Sequence, residues 1–274
     1  MKWGLHFGAD ISQVEKFRKV SITRMQIHSR FKKLFKLVQH QELLTALWKW
    51  GVAAGVEHIP LLESLRGCAT VVDLGANRGQ FALVARYVLP EAHVFAFEPL
   101  DRPADKCRLV FRDDPMVYVH QSAIGPVSCK AEIHVSGRDD SSSLLPITSR
   151  QNELFPGTAE AGLESISVSR LGDLLGGSDL LAPALLKIDV QGFELSALEG
   201  CEDLLGYFRW IYVECSFVEL YAGQALASEV IDWLRKRGFG LMGVHNVAYD
   251  KSGRSIQADF LFSADLQTLS DDAA

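Results

Sequence analysis

Two acids bracket a glycine-rich turn in the first half of the chain. Asp73 opens the run Asp73-Leu74-Gly75-Ala76-Asn77-Arg78-Gly79-Gln80, and Glu98 follows the apolar run His93–Phe97. Glycines at 75 and 79, with Asn77 between them, permit positive φ and let a ligand lie against bare backbone. A carboxylate just beyond a second strand can accept both hydroxyls of a ribose. Asp73 narrows the ligand further. A dinucleotide turn (G-x-G-x-x-G) offers amide donors to a pyrophosphate, which a neighbouring acid would repel. The pattern here is D-x-G-x-N-x-G, which suits a nucleoside with a cationic end, such as the amino group and sulfonium of S-adenosylmethionine. Either acid alone reads as a turn cap or a solvated strand end. The two together in this frame read as a binding pair.

The elements that hold these residues are predicted from periodicity. Thr70–Leu74 is a β-branched run fit for a buried strand, residues 80–89 have helical spacing with Pro90 as a stop, and His93–Phe97 is a second strand. A second informative stretch, ALLKIDVQGFELSALEG, places Asp189 at the carboxyl end of a buried strand over residues 185–190, with a helix ending at Gly200. Ligands of open α/β sheets bind outside the carboxyl ends of the strands, so Asp73 and Asp189 are expected on either side of one crevice. Lys187 shares strand parity with Asp189. A lysine inside an apolar strand needs a partner, and Asp189 or Glu194 is expected to supply it. A third strand over residues 116–121 ends at Ser122 and Ala123, by position the border of a bound base, or else a plain small-residue turn. Residues 130–136 and 165–170 read as strands. Between them a polar tip, Asp140, Ser141, Ser142 and Ser143, opens a long irregular stretch to residue 162, expected to act as a substrate-facing flap. Residues 210–214, 228–237, 240–244 and 256–262 read as a fifth strand, a helix and a closing hairpin.

With 274 residues and 48% hydrophobic content, the chain can bury one α/β core with an appendage. The expected organisation is a basic helical extension over 1–64, a catalytic domain over 65–263 and a polar tail over 264–274. No apolar run approaches the roughly 20 residues of a bilayer span, and the first residues lack a secretory layout. Five scattered cysteines without a C-x-x-C pair argue for reduced, buried thiols, against a zinc site and for a cytoplasmic location. Residues 1–50 carry ten Lys and Arg against three acids, while the rest carries eighteen against thirty-one. Within the basic part, Ile27, Phe31, Leu34, Phe35 and Val38 form a helical stripe continued by Leu43, Leu44, Leu47 and Trp48. It is expected to pack on the core or on a second copy in a homodimer; peripheral contact with an anionic membrane is the lesser alternative. Nucleic acid is not expected.

The motifs VVDLGANRGQF, FAFEP, SAIG, DSSSL, LLKIDVQGFELSALEG and QADFLF resemble those of FkbM-type, class I S-adenosylmethionine-dependent methyltransferases, over roughly residues 65–263. Members commonly show K-I-D-V-E-G where this chain has Gln191. The resemblance implies a Rossmann-like α/β fold with a seven-stranded, mostly parallel sheet ordered 3-2-1-4-5-7-6, its last strand antiparallel and helices on both faces. It implies S-adenosylmethionine held by Asp73, Gly75, Ala76, Asn77, Gly79, Gln80, Glu98, Ser122 and Ala123. The acceptor would be a hydroxyl of a sugar, glycan or secondary metabolite, facing Ser141, Ser142, Ser143 and Glu214.

Methyl transfer from a sulfonium is an in-line displacement, helped by alignment in a dry cleft and by a base for the hydroxyl proton. Asp189, beside Lys187, is the first candidate base. His245 is the second, and it equally fits a surface loop. No metal is predicted, although Asp189 and Glu214 together offer a thin basis for Mg²⁺. The rival readings are a nicotinamide-dependent oxidoreductase and a catalytically inactive methyltransferase fold that binds a partner.

Overall fold

The structure is a computed structural model that describes residues 41–264. The stripe from Ile27 to Val38 and the tail beyond residue 264 lie outside the described residues. Helix α1 (Gln41–Trp50) buries Leu43 and Ala46, with Leu44 and Leu47 half-buried. Trp48 is 88% exposed, so it does not continue the apolar stripe expected of it. A short 3-10 turn (Val56–His58) leads into α2 (Ile59–Ser64), with Pro60 in its first turn, where no amide hydrogen bond is lost.

The β-α-β unit forms as its periodicity predicts. Strand β1 (Thr70–Leu74) is buried at every residue, as befits a central strand covered on both faces. Helix α3 (Gln80–Val88) starts after Gly79, whose φ is +87°, and stops before Pro90. Strand β2 (His93–Phe97), α4 (Asp101–Phe111) and β3 (Val117–His120) follow. Then come β4 (Ala123–Ile124), β5 (Cys129–Ser136), α5 (Ser149–Leu154), β6 (Glu160–Ser169), β7 (Ala184–Ile188), α6 (Glu194–Gly200), β8 (Phe208–Ser216), α7 (Ala227–Arg235), β9 (Gly240–Tyr249) and β10 (Ser255–Ser263).

Seven strands form one sheet in the order β3-β2-β1-β7-β8-β10-β9, with β10 antiparallel to both neighbours and the remaining pairs parallel. Counted among themselves, these strands run 3-2-1-4-5-7-6. The count is interrupted by a second, three-stranded sheet, β4-β6-β5, which the sequence reading missed. The stretch expected to be an irregular flap contains a 3-10 turn (Asp139–Ser141), α5 and the first residues of β6. The β5–β6 hairpin pairs as far as Ser136 with Glu160. Thr148 caps α5 by accepting from the Gln151 amide. Leu145, Ile147, Leu154 and Phe155 pack against Val218, Leu220, Tyr221 and Ile256, which anchors the connection to the main domain.

The main sheet separates two apolar layers by residue parity. Val72, Leu74, Leu186, Ile188 and Val213 face α6 and α7. Val71, Val94, Leu185, Trp210 and Leu261 face α1, α2 and α3. On this second face the apolar rows give way to polar ones toward the strand tips. Asp73 lies opposite Lys187, which lies opposite Tyr212, and Asp259 lies opposite both Glu214 and His245. Among the described residues no helix is long and apolar enough to cross a membrane. The five cysteines are unpaired, four buried as expected and Cys129 exposed.

Gly75 closes the space between the β1 and β7 tips. Its φ is +79°, and a Cβ there would fall 1.9 Å from the Asp189 carbonyl oxygen. Gly75→Ala should destabilise by about 2–5 kcal/mol, combining a left-handed penalty of about 1–2 with a steric one of about 1–3. Gly67 also has positive φ (+90°) but nothing within 4 Å of its would-be Cβ. Gly67→Ala should therefore lose only the first part, about 1–2 kcal/mol. Urea midpoints of the two variants would check the difference.

Candidate active site

A cavity of about 350 Å³ opens at the carboxyl ends of β1, β2, β7 and β8. That size is ordinary for a small-molecule site, which typically spans about 300–1,000 Å³. One end is walled by the turn Gly75–Ala76–Asn77, Glu98, Leu100, the segment from Ser122 to Ile124, and Phe193. The other end meets the segment from Arg138 to Ser143, Gln151, Asp189, Gln191, Glu214 and Gln257. Gly55, Glu57 and His58, with Gln80 and Phe81, complete the wall. Gly79 and Asp73 are not among the lining residues. A Cβ on Gly79 would strike the Phe111 ring at 2.6 Å, so this glycine serves the packing of α3 on α4.

Glu98 lines the cavity just beyond the end of β2. Its Oε2 accepts from the Asn77 amide and its Oε1 from the Leu100 amide, both at 2.9 Å. A carboxylate has about four acceptor positions, so two remain. Burial raises its pKa to about 7 against the pull of those two amides. The Ser122 hydroxyl, by contrast, is engaged within the fold. It donates to the Ala123 carbonyl at 2.8 Å and lies 3.0 Å from the Ser169 hydroxyl, which leaves the backbone of Ser122 and Ala123 to face a ligand.

Asp73 lies beneath this floor rather than on the crevice wall. It is fully buried, and Lys187 Nζ stands 3.0 Å from its Oδ1, a charge contact without hydrogen-bond geometry at either oxygen. The lysine's partners are therefore Asp73 and, at 3.8 Å, Asp189. Glu194, the other partner expected, instead accepts from the Gly192 and Val190 amides at 2.9 and 3.3 Å. Burial alone would lower the Lys187 pKa; Asp73 and Asp189 outweigh it and hold the ammonium charged.

At the far end a hydrogen-bonded chain runs across the strand tips. Gln191 Nε2 donates to Asp189 Oδ1 at 2.7 Å and to Glu214 Oε2 at 3.1 Å, and Gln257 Nε2 donates to Glu214 Oε1 at 2.6 Å. Burial and the neighbouring Asp189 push the Glu214 pKa well up. Tyr221 donates to Gln191 Oε1 at 2.7 Å and sits 3.1 Å from the Ser141 carbonyl, tying the flap to β7. The amide of Gln191 lies between the two acids that a divalent ion would need to share, so this pair does not fit a metal centre. Ser141, Ser142 and Ser143 line the cavity, but their hydroxyls bond within the flap, to Asp140, the Ser136 amide and the Leu145 amide.

His245 is not brought to the cavity. It sits on β9 at the sheet edge, its ring 6.1 Å from that of Tyr212. The histidine that does line the cavity is His58, which the sequence reading passed over. Its Nδ1 lies 3.0 Å from the Tyr212 hydroxyl, which donates to Asp259 Oδ2 at 2.8 Å. Asn246 Nδ2 reaches the same Asp259 oxygen at 2.8 Å and the Tyr212 hydroxyl at 3.2 Å. The available signal was the pair of polar residues, Tyr212 and Asp259, set in strands on the parity of apolar core positions.

A family profile described as "Methyltransferase FkbM domain" matches residues 73–241. The chain is 28% identical over 170 residues to "2-O-methyltransferase NoeI" of Sinorhizobium fredii, covering 60% of this chain and 70% of that protein. It is 28% identical over 202 residues to "31-O-demethyl-FK506 methyltransferase FkbM" of Streptomyces tacrolimicus, covering 64% and 74%. Among solved structures, the precorrin-6y C5,15-methyltransferase of Geobacter metallireducens aligns over 76% of this chain and 87% of its own, at 11% identity and a TM-score of 0.42. The profile spans more than half the chain and takes in the glycine turn, Glu98, Lys187 and Asp189: this protein belongs to the FkbM methyltransferase family.

Proposed function

We propose that the protein is an O-methyltransferase that uses S-adenosylmethionine and acts on a hydroxyl of a polyhydroxylated acceptor, such as a sugar or glycan. The charge of the cavity wall carries this reading. Six carboxylates line it (Glu57, Glu98, Asp139, Asp140, Asp189 and Glu214) against two cations, Arg138 and Lys187. Even with Glu98 and Glu214 protonated, acids outnumber cations. Such a wall favours a ligand with a positive end and opposes the pyrophosphate of a nicotinamide dinucleotide.

The donor fits the end bounded by the glycine turn. The two remaining acceptor positions of Glu98 suit two ribose hydroxyls, while Leu100, Ile124 and Phe193 offer apolar surface to a base. Gly75, Ala76, Asn77 and Gln80 give close backbone approach to the remainder, with the Asp73–Lys187 pair fixing the floor below. When bound, S-adenosylmethionine would supply an electrophilic methyl group on a sulfonium. At the other end Asp189, Gln191, Glu214 and Gln257 present fixed donors and acceptors to several acceptor hydroxyls, and Lys187 holds Asp189 in place. The names of the two relatives, both O-methyltransferases, support oxygen as the acceptor atom.

Calorimetry with S-adenosylmethionine and NAD⁺ separates the rival readings. The first should bind and the second should not; binding of NAD⁺ alone would establish an oxidoreductase, and binding of neither a non-catalytic scaffold. Labelled-methyl transfer to a panel of methyl glycosides and sugar nucleotides then identifies the acceptor. Asp189→Asn should raise the acceptor KM roughly 10-fold or more, the worth of a charged hydrogen bond, with donor affinity little changed. Glu98→Gln should weaken donor binding by a similar factor. It also carries a pH signature. The folded carboxyl titrates near 7 and its ordinary value is 4.5, so wild-type stability from this group is present below 4.5 and lost as pH rises through 7. The stability of E98Q relative to wild type should therefore rise by about 3 kcal/mol between pH 4 and pH 8, measured by denaturant titration.

A further inference from the structure

His58 lies outside the segment matched by the family profile, as do Asn246 and Asp259, yet with Tyr212 these residues build one hydrogen-bonded unit against the cavity. The ring is held on several sides. It meets Phe81 edge-on at 5.2 Å and Tyr212 at 5.6 Å. Gly55, pinned to α3 by donating its amide to the Gln80 carbonyl at 3.0 Å, leaves room for the Nε2–Cδ2 edge; a Cβ there would lie 3.0 Å from His58 Cδ2.

The direction of the hydrogen bonds sets the tautomer. Tyr212 has one proton and gives it to Asp259 Oδ2. Asn246, whose Nδ2 has two protons and only donates, gives them to its nearer acceptors, the same carboxylate at 2.8 Å and the Tyr212 oxygen at 3.2 Å, and passes His58 Nδ1 at 3.4 Å, its longest contact. The Tyr212 oxygen is therefore an acceptor toward His58, and a proton on Nδ1 completes the chain His58 to Tyr212 to Asp259. A neutral imidazole with its proton on Nδ1 carries its lone pair on Nε2. Among the described residues none takes that nitrogen.

We infer that His58 is the general base of methyl transfer, with Tyr212, Asp259 and Asn246 as positioning residues that keep its Nε2 unprotonated and turned to the acceptor. This assignment rests on the methyltransferase reading above. In the step, Nε2 takes the hydroxyl proton as an oxygen electron pair forms the bond to the methyl carbon and the carbon–sulfur pair departs on sulfur. A methyl ether, a thioether and an imidazolium result, and the imidazolium returns its proton to solvent.

The charges around the ring suit the task. Burial, the largest influence, lowers the His58 pKa below 6.5; Asp259 at 3.9 Å, Glu57 and Asp189 pull it up, and Lys187 pushes it down. Tyr212 stays protonated, its pKa raised first by burial and then by Asp259. The base is therefore free at neutral pH and is lost as pH falls through a value below 6.5.

Two measurements on the full chain test the assignment. In the histidine-labelled protein, long-range proton–nitrogen correlation spectra, assigned with His58→Gln, should show His58 protonated on Nδ1 at pH 7 and titrating below 6.5, with that preference lost in Tyr212→Phe. An Nε2-protonated His58 in a protein that binds S-adenosylmethionine would overturn the assignment alone. With a glycoside or sugar nucleotide from the panel, His58→Gln should cut kcat by about 10²–10⁴-fold and abolish the acidic limb of the pH profile, while the calorimetric donor Kd stays within about twofold. Unchanged turnover in His58→Gln would overturn it as well. A wild-type protein that neither binds donor nor transfers label would instead overturn the methyl-transfer reading, and the base assignment with it.

Discussion

The ion pair between Asp73 and Lys187 is the constraint on which the site is built. Both side chains are removed from water, Asp73 wholly and Lys187 to 7% exposure. Desolvating two charges costs several kcal/mol each, and a single survivor would be left uncompensated. The pair can exist only if β1 and β7 align so that these two residues stand opposite one another, which is the register observed. It also reaches beyond itself. Lys187 Nζ lies 3.4 Å from the Gly75 carbonyl oxygen and 5.5 Å from the centre of the Phe81 ring, linking the glycine turn, the start of α3 and Asp189 through one ammonium.

Strain is concentrated around the same cavity. Asn77, Gln191 and Asn246 are the non-glycine residues with positive φ among those described, at 49°, 54° and 47°. Such a backbone persists where surrounding contacts hold it in place. Each of the three takes part in a site network: the Asn77 amide donates to Glu98, Gln191 bridges Asp189 and Glu214, and Asn246 bridges Tyr212 and Asp259. Backbone conformation here goes with the hydrogen bonds these residues make in the site, through the main-chain amide at Asn77 and through the side chains at Gln191 and Asn246.

Local pattern reveals what local physics decides. The β-α-β unit was legible because strand, glycine turn, helix and strand follow one another within some thirty residues, each with its own periodicity. The closing hairpin and the helix before it were legible for the same reason, differing only at their ends. Lys187 shows the limit. Parity within its own strand gives the face it points to, but its partner depends on the register of a strand more than a hundred residues earlier. Two strands of the second sheet were legible, over 130–136 and 165–170, but not their pairing; the start of β6 was missed because Glu160-Ala161-Gly162 has no β-branched residue, although Thr148 and Gln151 spell a helix start that a stricter reading would have found. His58 was legible only indirectly, through the polar residues Tyr212 and Asp259 at core parity in their strands. A single histidine ahead of a short helix has no local mark, and its partners come from β8, β9 and β10.

The small β4-β6-β5 sheet and α5 hang between the third and fourth strands of the main sheet and contribute no hydrogen-bonded rung to it. The connection from β5 to α5 nevertheless supplies the cavity wall from Arg138 to Ser143, and α5 adds Gln151. Insertions, deletions or grafts in this faceplate can thus resculpt what the pocket admits while the charged keel beneath keeps its alignment. Diversification of chemistry in this architecture is in that sense modular at the pocket-facing positions alone, because Tyr221 and its apolar neighbours clamp the two portions together.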